Sequence, residues 1–375
     1  MKNIAVIFGG KSVEHDISII TALQTLSKVP HSYNVLPVYI THENKWICAD
    51  NINKAETFLN FDKNVKNPKN IVIDFQSQSF LILNRNKVKQ KIKIDCALLC
   101  NHGRFGEDGA IQGLLEFAQI PYTSSNISSS VLTMDKTLTK LMLKAENINC
   151  LPYVQFDKCS YNLNKSKLLE QVKTKLKFPC IIKPANLGSS VGIDICECEA
   201  QLYEKICSAF EFDENVLIEK FLTNAREFSC AVIKINNVPI ASNVNEAKKG
   251  KFFSFEEKYI KKQSQDKSVI DKNLEQKIKK LAIKSYLALR CDGVVRVDFL
   301  YDSKSNKLFV NELNSIPGSL SFNMFDGSFE DLINVLIEEA IQKQNKKKQI
   351  IYQFNSKAIE SFIKMNKSYK NLKRK

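Results

Sequence analysis

Two stretches near the C-terminal end alternate most cleanly between apolar and polar positions. Residues 293–301, Gly-Val-Val-Arg-Val-Asp-Phe-Leu-Tyr, and 308–314, Leu-Phe-Val-Asn-Glu-Leu-Asn, set β-branched or aromatic side chains between polar ones. That is the mark of strands with one buried face. The six polar residues between them, 302–307, predict a turn and hence an antiparallel hairpin. A side-chain period of two puts Arg296 and Asp298 on one face of the first strand, and Glu312 and Asn314 on one face of the second.

Elsewhere, apolar runs at 4–8, 35–40 and 92–99 predict strands, the first and third followed by Gly-rich turns and helices from about residue 16 and over 110–118. Strand, Gly-rich turn, helix, repeated, describes an open parallel sheet with ligands at the carboxyl ends of its strands. Residues 52–93 are Asn- and Lys-rich with weak strand character and read as a peripheral elaboration. A second unit begins near residue 123, with a helix at 136–145, strands at 180–183 and 216–219, and a Gly-Ser loop at 186–192. A third carries strands at 227–235 and 238–241, the hairpin, and helices at 274–289 and 329–341. There is no internal repeat. The chain is therefore expected to be α/β (α+β), divided as 1–124, 125–221 and 222–342, with a tail at 343–375.

A length of 375 residues exceeds what one core usually supports. No apolar run approaches the roughly 20 residues of a membrane-spanning helix. The N-terminus passes from Met1-Lys2-Asn3 into a short strand without the long apolar stretch of a signal peptide, so a cytoplasmic protein is expected, with no membrane partner. The 11 cysteines are odd in number and never spaced CxxC, which points to reduced thiols. Cys196 and Cys198 have the spacing of one strand face, but no second pair or His cluster lies nearby to complete a zinc site.

The net charge of +15 raises a nucleic-acid reading, and its distribution decides against one for the body. From residue 343 onward ten lysines and Arg374 face only Glu360, leaving that segment at +10 and the first 342 residues at +5. Phe354, Ile359, Phe362 and Ile363 have the spacing of one apolar stripe on a helix there. A solvated, functionally neutral extension is expected for this tail, with docking on the body and contact with an acidic partner as the alternatives.

The candidate chemistry begins at the hairpin. Two carboxylates, a carboxamide and a guanidinium converge on one patch of sheet. Oxygen donors of this kind suit Mg²⁺, which completes its shell with water and phosphate, and the Arg suits a developing oxyanion. Ser315-Ile-Pro-Gly318 follows as a turn whose amides open toward the same patch. Lys183 ends an apolar strand, and Gly188-Ser189-Ser190-Val-Gly192 five residues on offers hydroxyls and amides to a polyphosphate. The loop is not of the GxxxxGK[ST] type. Residues 216–222, ending in Glu219-Lys220-Phe-Leu222, suit an adenine or serve simply as an inter-domain linker. Glu14 and His102 stand on loops after strands of the first sheet, where small substrates bind, although a lone loop histidine is more often surface. Residues 249–259 combine charge, Gly and aromatics and read as a lid.

Together these residues resemble the ATP-grasp superfamily, and within it the D-alanine–D-alanine ligase family, over roughly residues 3 to 342. Gly9-Gly-Lys-Ser-Val-Glu14-His-Asp-Ile-Ser18 and His102-Gly-Arg-Phe-Gly-Glu-Asp-Gly-Ala-Ile-Gln-Gly113 look like the family's first two signatures. Arg296-Val-Asp-Phe and Asn311-Glu-Leu-Asn-Ser-Ile-Pro-Gly318 look like its C-terminal one. The resemblance implies a three-domain ATP-grasp architecture, with an N-terminal open parallel sheet and two ATP-sandwiching α+β subdomains. It implies that Lys136, Lys183, Glu219, Lys220, Leu222 and Glu227 bind ATP, with Ser189 and Ser190 in the phosphate-covering loop and Lys258 reaching from the lid. Asp298, Glu312 and Asn314 would hold two Mg²⁺, with Mn²⁺ an acceptable substitute. Glu14 would take the ammonium of the first D-alanine; Arg296 and the Gly318 amide would take its carboxylate and the later oxyanion. Ser189, Tyr259 and Glu14 would form the link that closes the site, and a homodimer is expected.

This sequence departs from the family pattern in two places. Phe253 stands where some relatives have Tyr in the lid. Asn323 falls where a small hydroxyl residue is expected for the second substrate, with Ser321 a possible substitute. A D-alanine–D-lactate ligase is the neighbouring alternative, opposed by Tyr259, where lactate-preferring relatives tend to carry Phe. A nucleic-acid-binding protein acting through the tail is the distant one.

Overall fold

The computed structural model describes residues 1–247 and 270–372. Ile4 to Phe8 are fully inaccessible, so their strand must be covered on both faces. Lys2–Gly9 accordingly lies inside a seven-stranded sheet, parallel to Tyr33–Ile40 on one side and to Cys96–Leu99 on the other. Beyond Tyr33–Ile40 the sheet turns antiparallel, through Trp46–Cys48, Lys69–Asp74, Ser79–Asn84 and Lys87–Lys93. The parallel part is thus three strands at one end of the sheet, and the segment read as a peripheral elaboration extends it on the other side. The strand expected over 92–99 is two strands on opposite edges. The chain breaks at Asp95, whose carboxylate accepts the Asn3 amide at 2.8 Å.

The second sheet is four-stranded and antiparallel, in the order Asp194–Cys196, Cys180–Pro184, Asn215–Lys220, Tyr153–Asp157. Helices Lys158–Leu176 and Glu199–Ala209 contribute Val172, Leu176, Leu202 and Ile206 to the core on one face. The third runs Val238–Glu246, Arg226–Ile235, Val294–Asp302, Lys307–Asn314. Its Phe228, Cys230, Val232, Val295 and Val297 pack with Ile278, Ala282 and Tyr286 of helix Lys272–Ala288. The alternation that buries Val295, Val297 and Phe299 turns Arg296 and Asp298 to the opposite face. All eleven cysteines are free, and Cys198 lies past its strand, exposed at a helix cap.

Helix Phe329–Lys347 opens with a capping box between Ser328 and Asp331. Its buried stripe of Phe329, Leu332, Ile333, Leu336, Ile337 and Ala340 joins the core of the first sheet. Polar ties reinforce the docking: Lys2 meets Glu338 at 2.5 Å, Tyr33 donates to Glu338 at 2.9 Å, Lys343 meets Asp292 at 2.6 Å, and Lys347 pairs with Glu116. Helix Ala358–Leu372 ends the described chain. It contains Ile359, Phe362 and Ile363 of the expected stripe, while Phe354 precedes it.

Candidate active site

The hairpin register pairs Arg296 with Asn314 and Asp298 with Glu312, which puts all four on one face. Arg296 grips Asp298 with both prongs, Nε to Oδ1 and Nη2 to Oδ2, each at 2.8 Å. Ser229 donates to Oδ1 at 2.7 Å, and Asn314 donates to Oδ2 at 3.0 Å. Asp298 is therefore held in place by charge-assisted bonds. Among the described residues no three His, Cys, Asp or Glu side chains cluster as a closed metal site. The donors present are two carboxylates and one carboxamide, an all-oxygen set. That set fits a hard cation sharing its shell with phosphate rather than an all-protein cage.

The second sheet and the helix Lys136–Ala145 supply the cations. Asp135 caps the helix Lys136–Ala145 by accepting the Thr137 and Leu138 amides. Lys136 at its first position reaches the Leu187 carbonyl at 2.5 Å and lies 3.7 Å from Glu312. One turn on, Lys140 is 1% exposed and meets Glu219 Oε1 at 2.5 Å. Lys183 meets Glu219 Oε2 at 2.7 Å and donates to Asn311 at 3.4 Å. Burial alone would raise the Glu219 carboxyl, but Lys140 and Lys183 hold it down at about 2. Burial would lower the Lys183 ammonium, yet Glu219 and then Glu312 raise it. Lys220 and Glu227 are exposed and Leu222 is half-buried, around the edge of this region.

The first sheet supplies the third wall. Glu14 precedes helix His15–Leu26 and is buried between two glycines: a Cβ on Gly103 would stand 2.5 Å from Glu14 Oε2, and one on Gly188 2.6 Å. Only residues without side chains fit there. Ser189, at φ +53°, donates its hydroxyl to Glu14 Oε1, and Ser190 follows at φ +59°. His102 exchanges a hydrogen bond with Thr21 at 2.9 Å, and burial, then the charge of Arg296, push it down to about 4. Thr21 also accepts the Ser319 amide at 3.2 Å, which ties the turn beginning at Gly318 to this wall. Ser321 is buried and Asn323 exposed.

Two residues carry weight that the sequence did not assign. Lys140 is one; its signal was the four-residue spacing from Lys136 on one helix face. Glu107 is the other. It accepts the Gly103 amide and the Ile316 amide, each at 2.9 Å, and so joins the loop of the first sheet to the turn after the hairpin. Burial, then the nearby Glu14 charge, push its carboxyl up to about 8.

Glu14, Lys136, Gly188, Glu312 and Asn314 line one cleft with Glu107 and Ser315, a cavity of about 30 Å³. A larger cavity of about 260 Å³ lies elsewhere, among Tyr122, Lys234, Asp292 and Lys343, and holds none of the expected site residues. Phe253, Lys258 and Tyr259 lie outside the described residues.

Two family models match the chain: the D-ala D-ala ligase N-terminus over residues 3–125 and the D-ala D-ala ligase C-terminus over residues 142–338. The D-alanine–D-alanine ligase of Thermosipho africanus is 41% identical over 95% of this chain and 98% of its own length. That of Chloroherpeton thalassium is 34% identical over 92% and 98%. Among solved structures, the VanG D-Ala:D-Ser ligase of Enterococcus faecalis superposes with a TM-score of 0.77 at 31% identity, covering 90% of this chain and 99% of its own. The D-alanine–D-alanine ligase of Coxiella burnetii gives 0.76 at 26%, covering 93% and 98%. The chain belongs to the D-alanine–D-alanine ligase family.

Proposed function

We propose that this protein joins two D-alanines into D-alanyl-D-alanine at the expense of ATP, releasing ADP and phosphate, for peptidoglycan precursor synthesis. The observation that carries the reading is the Ser189–Glu14 hydrogen bond, which fastens a polyphosphate-type loop to a buried carboxylate that lines the cleft. Glu14 receives the ammonium of the first D-alanine, and Arg296 with the Gly318 amide receives its carboxylate. That carboxylate attacks the γ-phosphorus of ATP; the new O–P bond forms as the bond to ADP breaks, giving D-alanyl phosphate. The amine of the second D-alanine, having shed a proton, attacks the acyl carbon. The C–N bond forms, the C–O bond breaks and phosphate leaves. Arg296 stabilises the oxyanion that appears between these events.

Lys136, Lys183 and Lys258 hold the ATP phosphates beneath Ser189 and Ser190, while Glu219, Lys220, Leu222 and Glu227 frame the adenosine. Asp298, Glu312 and Asn314 are the residues that would hold two Mg²⁺, or Mn²⁺, whose charge offsets that of the transferring phosphate. Tyr259 completes the closing link with Ser189 and Glu14, and exclusion of water by that closure protects the acyl phosphate. Ser321 grips the second carboxylate in preference to Asn323, and His102, uncharged at neutral pH, borders the substrate. The division at 124 and 221 belongs to this reading, supported by each sheet drawing its strands from one range. A homodimer and cytoplasmic action belong to it too; among the described residues no helix is long and apolar enough to cross a membrane.

The test is ATP-dependent phosphate release with D-alanine alone, and with D-serine or D-lactate added. Release with D-alanine, lost in Arg296→Ala and Glu312→Ala, is expected. Release only on adding D-lactate or D-serine would reassign the acceptor, and release that survives both substitutions would remove the chemistry from the hairpin.

A further inference from the structure

Past the helix Phe329–Lys347 the chain leaves the body. Residues 351–357 have no regular structure, and helix Ala358–Leu372 follows. Ile350, Ile351, Tyr352 and Phe354 before this helix, and Ile359, Phe362, Ile363 and Met365 within it, are all exposed, Phe354 by 90%. Scattered single apolar residues on a surface need no explanation, but a continuous series of this kind marks an interaction site. Ile359, Phe362 and Ile363 fall at i, i+3 and i+4, so they share one helix face.

The charge around this stripe is one-sided. Residues 349–375 contain six lysines and Arg374 against the single acid Glu360, a net +6. A helix with an apolar face, a cationic remainder and modest overall hydrophobicity is the kind that lies in the plane of a bilayer interface. There the acyl boundary takes the isoleucines and phenylalanines, and anionic headgroups take the lysines. A nucleic acid would engage the lysines and stack on the aromatics, but it would leave Ile351, Ile359 and Ile363 in water. The aliphatic residues therefore decide between the two polyanions.

We propose that residues 350–375 are a peripheral anchor that lays this protein on an anionic lipid surface. The anchor stands apart from the chemistry. Lys343 and Lys347 stay tied to Asp292 and Glu116 on the body, so the tether begins after Lys347 and the catalytic cleft takes no part in docking.

The experiment is co-sedimentation of the full-length protein with phosphatidylglycerol vesicles and, separately, with phosphatidylcholine vesicles. Expected is at least about tenfold stronger partition onto the anionic vesicles, weakening as salt is raised. Removal of residues 349–375 abolishes it, and so does the pair Phe362→Glu and Ile363→Glu, which keeps the full chain and the phosphate-release activity. Equal partition onto both vesicle types, no partition at all, or partition retained by the truncated chain would overturn the proposal. So would tail-dependent self-association or RNA binding in the absence of vesicle binding.

Discussion

Glu219 in the second sheet and Glu107 in the cleft are the same residue type, 1% and 9% exposed, and they come to opposite ends. Burial pushes both carboxyls up. Glu219 nevertheless falls to about 2, because Lys140 and Lys183 each touch one of its oxygens. Glu107 rises to about 8, because the Glu14 charge adds to the desolvation, against two backbone amides and Arg296. Desolvation sets a cost common to both sites; the sign of the neighbours decides the outcome. One carboxylate is a fixed anion that organises ammoniums, and the other titrates near working pH, beside the residue proposed to bind substrate.

The most severe way to break this contrast is Glu219→Gln. Two ammoniums would then remain buried without their counterion, at a cost of about 3–5 kcal/mol in chemical denaturation. The folded pKa lies below the ordinary carboxyl value of 4.5, so the stability contributed is in place above that pH and is lost as pH falls toward about 2. The variant should therefore lose part of the parent's acid limb; an unchanged limb would mean that Glu219 is not the anion described. Lys140→Met should cost less, about 1–3 kcal/mol, since Lys183 still faces Glu219, and the double variant should lose less than the sum. Strictly additive losses would uncouple the pair.

Glu107→Gln sharpens the other side. With its folded pKa raised from 4.5 to about 8, the stability Glu107 contributes is present below about pH 4.5 and drains away as pH rises through about 8. Calorimetry between pH 5 and 8.5 should show the parent falling by at least about 1.4 kcal/mol relative to the variant, the equivalent of one pKa unit. Parallel curves would remove Glu107 from the titrating groups. The mildest change is deletion of residues 349–375, which lie outside both networks. Stability should move by less than about 0.5 kcal/mol and kcat should not move; a tenfold fall in kcat would tie the tail to catalysis.

The hairpin was legible because a half-buried strand writes its geometry in a two-residue period, so the shared face of Arg296, Asp298, Glu312 and Asn314 followed from spacing alone. The outer strands of the first sheet were not. Lys87–Lys93 is exposed at six of its seven positions, and a strand with no buried face leaves no alternation to find. The break at Asp95 was hidden for the opposite reason, since apolar residues run on both sides of it. Helix Lys158–Leu176 buries only Tyr161, Val172 and Leu176 of 19 residues, with a kink at Asn164, and its stripe is correspondingly faint. Lys140 and Glu107 look in sequence like solvated charges. What distinguishes them is a partner far along the chain, 79 residues away at Glu219 and 209 at Ile316, and local pattern does not encode that.

The docking of helix Phe329–Lys347 onto the first sheet bears on how the protein is made. Lys2 and its partner Glu338 are 336 positions apart, and the core around Ile4–Phe8 is completed by Leu332, Ile333, Leu336 and Ile337. At ordinary rates of synthesis the first strand waits on the order of tens of seconds for the helix that covers it. Until then one face of the nascent sheet is apolar and bare. A strand made early is thus finished late, and shielding by a chaperone matters most for the ribosome-bound chain that ends before residue 329.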